Sequence, residues 1–224
     1  RQEALIHPDL QEAVVLIAGV GMLGGWTAHA LARCVAHVAL FDPDVVEDVN
    51  TGNQPYNGEL VGRPKAEALA SQLAGLPVSW THGPFPLDKK PQELLAEAGL
   101  PPTEEARKLI VISAADSFDV REKVAAYARY HEAAFFVDTR ALADISVVVV
   151  VAHRIIEKYL KEEVIRDDQA PEGACGERGT AYVGLATAAR VVATLNAAMR
   201  GIPYPYFHVE DVVTGIVLRA NRAE

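Results

Sequence analysis

The densest chemistry in this chain lies between positions 19 and 65. Gly19-Val20-Gly21-Met22-Leu23-Gly24 has the spacing G-x-G-x-x-G. In such a loop the first glycine allows a sharp turn and the second lets backbone approach a phosphate or ribose. The third lets a helix lie close against a strand. Free amides at the start of the following helix would face an anion. About 20 residues beyond Gly21 stands Asp42, where a carboxylate can hold ribose hydroxyls. At this stage a nicotinamide dinucleotide and ATP fit equally well, and a plain tight turn also accounts for the glycines.

The residues after Asp42 separate the two nucleotides. The chain continues Asp42-Pro43-Asp44-Val45-Val46-Glu47-Asp48-Val49-Asn50, then Gln54, then Gly62-Arg63-Pro64-Lys65. An ordinary dehydrogenase has no use for a second aspartate, an asparagine and a lysine at these offsets. A protein that grips a triphosphate does, because it must neutralise charge that the dinucleotide lacks. Lys65, at the start of a helix, can reach β- and γ-phosphates as a point charge. Taken alone it would read as a solvated surface lysine; in this company it reads as a ligand.

These residues need strands and helices to hold them. Residues 14–18 form a continuous apolar, β-branched run ending in glycine, the pattern of a strand buried on both faces. Similar runs predict strands at 38–41, 109–112, 134–137 and 145–151, a weaker one at 78–81, and one or two short strands in 206–218. Helical spacing covers a short leader in 1–12, then 26–34, 64–74, 92–98, a stretch ending near 130, 154–163 and the alanine-rich 180–199. Strands alternating with helices imply crossover units. The expected architecture is α/β: one Rossmann-like, doubly wound, mostly parallel sheet with additional C-terminal strands, in a single domain over 1–224.

Asp42, Asp44, Asn50, Gln54 and Pro64-Lys65 behind a glycine-rich loop resemble the ThiF/MoeB/HesA superfamily, bacterial relatives of ubiquitin-activating enzymes. The resemblance covers residues 1–140 well and the helix from 180 more loosely, and lies nearest to short ThiF-type proteins of plasmids and phages. It implies an ATP-dependent adenylyltransferase. Its substrate would be the C-terminal carboxylate of a small ubiquitin-like or sulfur-carrier protein ending in Gly-Gly. Gly19, Gly21, Gly24, Asp42, Asp44, Asn50, Gln54 and Lys65 would surround the nucleotide, with Asn50 and Lys65 facing the phosphates. Lys65 and Asp116 would be catalytic, Asp116 through Mg2+; its place just past a strand suits a ligand, and equally suits a helix cap. Cys175, ahead of a long helix and near Arg178, has surroundings that favour a thiolate. The resemblance implies a covalent link from Cys175 to the carrier, with a structural cysteine as the other reading. A homodimer is implied as well, with Arg1 reaching the partner's site.

Two departures bear on activity. Asn53 stands where the family usually has an arginine that would stabilise charge developing on the phosphates. Met22 stands where a glycine is common and is expected to crowd the phosphate side of the loop. The alternative reading is therefore a catalytically weakened ATP-binding partner subunit. An NAD-dependent oxidoreductase comes third, since it leaves Lys65 and Asp116 unexplained.

Composition agrees with a cytoplasmic protein. Half of the 224 residues are apolar and 23% are charged, enough for a sizeable core. The net charge of −9 gives no electrostatic ground for holding nucleic acid or anionic lipid. Two cysteines, Cys34 and Cys175, cannot make a four-cysteine zinc site, and the seven histidines lack ligand spacing. The uninterrupted apolar runs are too short to cross a bilayer, so no membrane is expected among the partners.

Overall fold

A computed structural model of the chain describes residues 3–99, 108–162 and 179–220. The first strand, β1 (Val14–Ala18), is buried at every position. Val15 and Ile17 enter one core, while Val14, Leu16 and Ala18 enter a second on the opposite face. Strand β2 (His37–Asp42) divides likewise, with Val38 and Leu40 against Ala39 and Phe41, as does β4 (Leu109–Ser113), with Ile110 and Ile112 against Val111. Side chains alternate across a strand, so a sheet covered on both faces needs apolar residues at consecutive positions.

Among the described residues eight strands form one sheet in the order β3-β2-β1-β4-β5-β6-β7-β8, with β3 at Val78–His82 and β5 at Phe135–Leu142. From β3 to β5 every pairing is parallel. Strands β6 (Ile145–Ala152), β7 (Phe207–Asp211) and β8 (Ile216–Ala220) extend it as an antiparallel meander. The expected additional C-terminal strands are therefore β7 and β8, paired in turn beyond β6.

Helices cover both faces. After a short α1 (Pro8–Gln11), helices α2 (Met22–Leu31), α3 (Lys65–Gln72) and α7 (Ala181–Met199) supply Ala28, Leu31, Leu69, Val191 and Leu195 to the first core. Helices α4 (Pro91–Glu97), α5 (Phe118–Tyr130) and α6 (Ile156–Glu162) supply Leu94, Val124, Ala128, Ile156 and Tyr159 to the second. Helix α2 starts at Met22, well before the alanine spacing suggests. Its first turn contains Gly24 and Gly25, poor helix formers that tertiary contact makes necessary here. A Cβ at Gly24 would stand 1.9 Å from the Gly19 carbonyl oxygen, and one at Gly25 2.7 Å from Pro55.

Helix α7 is long and apolar enough, by length and composition, to cross a membrane, with a mean hydropathy of 1.2. Counting only uninterrupted apolar runs passes over it, because Thr187, Arg190 and Asn196 break the run. Its buried side, Val183, Gly184, Thr187, Ala188, Val191 and Leu195, packs against α2 and β6.

The strand order reverses direction once. The chain builds β1, β2 and β3 toward one edge, then crosses to place β4 on the other side of β1. Loops leaving the carboxyl ends of β1 and β4 therefore diverge, and a crevice opens between them.

Candidate functional site

A cleft of about 390 Å³ occupies that crevice. The register sets the height of its walls: Phe41, Ala18, Ser113 and Asp138 lie level across β2, β1, β4 and β5. Asp42, the loop from Gly19, Asp116 and Arg140 all stand just beyond that line and all line the cleft.

Gly19 turns with φ +86°, and a Cβ there would meet the Ala114 carbonyl at 2.9 Å, so two strand ends are in contact through it. Gly24 lets α2 pack on the loop and does not itself line the cleft. Gly21, the N-cap of α2, faces open space instead, its nearest neighbour being the Gln54 side chain at 3.8 Å. Gly19 thus turns the chain and Gly24 packs a helix against it, so Gly24 is a correction to the expected nucleotide set, while Gly21 leaves space in the cleft.

Asp42 is buried and accepts the Val20 N–H at 2.7 Å on one oxygen and the Asp44 N–H at 2.8 Å on the other. Burial pushes its carboxyl above the usual aspartate value, against the pull of those two donors. Each oxygen retains a lone pair that a ribose hydroxyl can use. Lys65 is 8% exposed and its Nζ rests 2.9 Å from Asp44 Oδ2, whose side chain is 64% exposed. The Lys65 N–H also donates to the Asp44 carbonyl, joining the start of α3 to the loop after β2.

Gln54 lines the cleft with a buried Oε1 that has no partner among the described residues. Asn50 is a correction to the expected set. It does not line the cleft; its Oδ1 accepts the Glu47 N–H at 2.9 Å, closing a capping box around the turn Asp48–Gly52. An asparagine three residues after a capping position satisfies backbone before it reaches a ligand.

Asn53, in the position of the missing arginine, donates Nδ2 to the Gly179 carbonyl at 2.8 Å, and its own carbonyl accepts Trp26 Nε1–H at 3.2 Å. It ties the loop to the approach of α7. Met22 does line the cleft, but its terminal atoms lie over Gly179, where a Cβ would stand 2.4 Å from Cε. Glycines at 179 and 184 make the room that Met22 takes up.

Asp116 is exposed in the cleft and makes no hydrogen bond or ion pair among the described residues. The cap of α5 is Ser117, which accepts the Val120 N–H, so Asp116 is not occupied as a helix cap. No group of three or more His, Cys, Asp or Glu side chains able to hold a metal occurs among the described residues. One free carboxylate lining the cleft fits magnesium, which commonly takes one or two carboxylates and completes its shell with phosphates and water. Cys175, Arg178 and Arg1 lie outside the described residues.

The sequence reading missed the far wall. Asp138, fully buried on β5, takes the Arg121 Nη1 on one oxygen and the Arg140 Nε, at 2.7 Å, on the other. The Tyr159 hydroxyl donates to Asp138 at 2.8 Å, and Arg121 also donates to the Thr139 carbonyl at 2.7 Å. Burial alone would raise the Asp138 pKa, but the two guanidinium groups hold it below the usual aspartate value. Both arginines and Phe118 line the cleft. One local signal pointed to this: Arg121 falls on the buried stripe of α5 with Val124, Ala125 and Ala128, and a charge on such a stripe needs a partner.

The family model described as the ThiF family matches residues 6–202. No curated protein sequence matches the chain. Among solved structures, E. coli MccB with ATP is similar at 18% identity and TM-score 0.66, covering 97% of this chain and 66% of that one. PaaA is similar at 18% identity and TM-score 0.64, with coverages of 95% and 65%. E. coli tRNA N6-threonylcarbamoyladenosine dehydratase, TcdA, gives 21% identity and TM-score 0.59, with coverages of 87% and 90%. The chain thus spans about two thirds of the length of MccB and PaaA.

Proposed function

The chain belongs to the ThiF family, and from that premise we propose that it is an ATP-dependent adenylyltransferase that activates a carboxylate. One observation carries the reading: Lys65 and Asp116, distant in the chain, line the same cleft as Gly21 and Asp42. A ribose carboxylate and an open glycine suit any nucleotide, whereas a cation and a free carboxylate beside them suit a triphosphate with its metal. MccB, of the same fold, has been solved with ATP and with MccA.

Asp42 would accept the ribose hydroxyls, and the backbone at Gly21 would pass close to the phosphates. Lys65 would leave Asp44 for the terminal phosphates, and Asp116 would hold magnesium. The ion's contribution when bound is to neutralise phosphate charge. A carboxylate oxygen then bonds to the α-phosphorus as the bond to the bridging β-oxygen breaks, giving acyl-AMP and pyrophosphate. No proton changes hands at the carboxylate, so positioning and fixed charge suffice. The carboxylate is read as the Gly-Gly terminus of a small ubiquitin-like or sulfur-carrier protein, with a homodimer as the working assembly.

Pyrophosphate–ATP exchange tests this. Labelled pyrophosphate should enter ATP when magnesium and a carrier ending in Gly-Gly are both present, and Asp116→Ala should abolish it. Asn53, engaged with Gly179 where an arginine is usual, favours the ATP-binding partner subunit as the second reading. Tight ATP binding without exchange for any carrier would select that reading. Failure to bind ATP, with NAD bound instead, would remove both.

A further inference from the structure

The Arg121–Asp138–Arg140 cluster is more than the fold requires. A buried carboxylate between two guanidinium groups leaves one positive charge over, and buried ions are usually compensated. Arg121 is the more deeply buried of the two, its side chain 6% exposed. Its Nη1 serves Asp138 and Thr139, although Nε has no partner among the described residues. Arg140 is held on one side only. Its Nε and Nη2 face Asp138, Nη2 also reaches the Tyr159 hydroxyl at 3.4 Å, and the guanidinium lies 5.5 Å from the Phe118 ring centroid. No hydrogen-bond partner of Nη1 exists among the described residues, and the side chain, 21% exposed, lines the cleft.

Its position says which anion it meets. Across the carboxyl edge the order is β2, β1, β4, β5, so Asp42, the glycine loop, Asp116 and Arg140 follow one another. Neighbouring strands are about 4.8 Å apart, which puts β5 roughly 10 Å from β1. On the adenylation reading the nucleoside would lie toward β2 and its phosphates toward the glycine loop after β1. Arg140 stands beyond the metal-ready carboxylate, on the side from which a second reactant must come.

We propose that Arg140, fixed by Asp138, Tyr159 and Phe118, receives the carboxylate of the substrate to be activated. This rests on the adenylation reading and adds the residue that recognises the acid. A guanidinium held by one edge offers the remaining donors to a planar two-oxygen group in a set direction. The carboxylate is thereby aimed along the cleft before it meets the α-phosphorus, and a neutral amide would not be held.

The test uses the whole protein with a non-hydrolysable ATP analogue and magnesium. An N-acetylated peptide ending in Gly-Gly is titrated as the free acid and as the C-terminal amide. Wild type should prefer the acid by about 10-fold or more, the ratio expected for a hydrogen bond to a charged group. Arg140→Gln should bring the ratio near one while changing analogue affinity by less than about 2-fold. Arg140→Lys, which keeps a cation beside buried Asp138, should retain part of the preference and keeps the test readable if the glutamine variant does not fold. Equal binding of acid and amide by wild type overturns the proposal. So does weakened analogue binding in Arg140→Gln, which would assign the residue to the phosphates. If wild type binds no analogue, the adenylation reading fails separately, and the acid-to-amide ratio on the nucleotide-free protein still decides the role of Arg140.

Discussion

Lys65→Met is the substitution that most directly interrogates the nucleotide reading. It keeps an unbranched apolar stem in the buried start of α3 and leaves the backbone bond to Asp44 intact. Only the ammonium is lost. In the free protein that ammonium pairs with Asp44, whose side chain is 64% exposed, and a solvated pair of this kind is worth roughly 0–1 kcal/mol. Moved onto a phosphate, the same group makes a charge-assisted bond of about 1.5–3 kcal/mol. The difference, about 0.5–3 kcal/mol, corresponds to roughly 2- to 150-fold in affinity. Calorimetric titration should therefore show Mg-ATP weakened by that factor, and AMP, which has no β- or γ-phosphate, unchanged within about 2-fold. Thermal stability should fall by no more than about 2–4 °C. Equal weakening of AMP and ATP would refute the assignment to the terminal phosphates. No weakening of ATP would refute any part for Lys65 in binding.

Gly24→Ala would drive a methyl to 1.9 Å from a backbone oxygen, so its destabilisation should reach or exceed the upper end of roughly 1–3 kcal/mol. Gly21→Ala meets nothing nearer than 3.8 Å and should melt like wild type while losing ATP, so a thermal melt and a titration separate the two glycines. Asp138, with its pKa lowered by Arg121 and Arg140, contributes stability above the unfolded aspartate value, and loses it as pH falls through the lower folded value. Asp138→Asn leaves buried Arg121 and half-buried Arg140 without their carboxylate, so denaturant titrations at neutral pH should show a loss of about 3–5 kcal/mol. The gap to wild type should narrow in acid.

The residue order by itself determined the alternation of strands and helices, the glycine loop and Asp42. Those features are local. A continuous run such as Val14–Ala18 is a strand buried on both faces wherever it lies, and the three glycine roles follow from spacing within one turn. Helix α2 begins at Met22, ahead of its alanine spacing, for a tertiary reason: Gly24 and Gly25 are required because Gly19 and Pro55 stand against them. The grouping of Lys65, Asp116 and Arg140 belongs to the sheet order, which seats β1 between β2 and β4 through pairings far apart in sequence. Partner choice is equally non-local. Asn50 turned to its own cap, Asn53 to Gly179 and Lys65 to Asp44, because a polar side chain takes the nearest unsatisfied group that folding brings to it. Spacing along the chain cannot report which group that is.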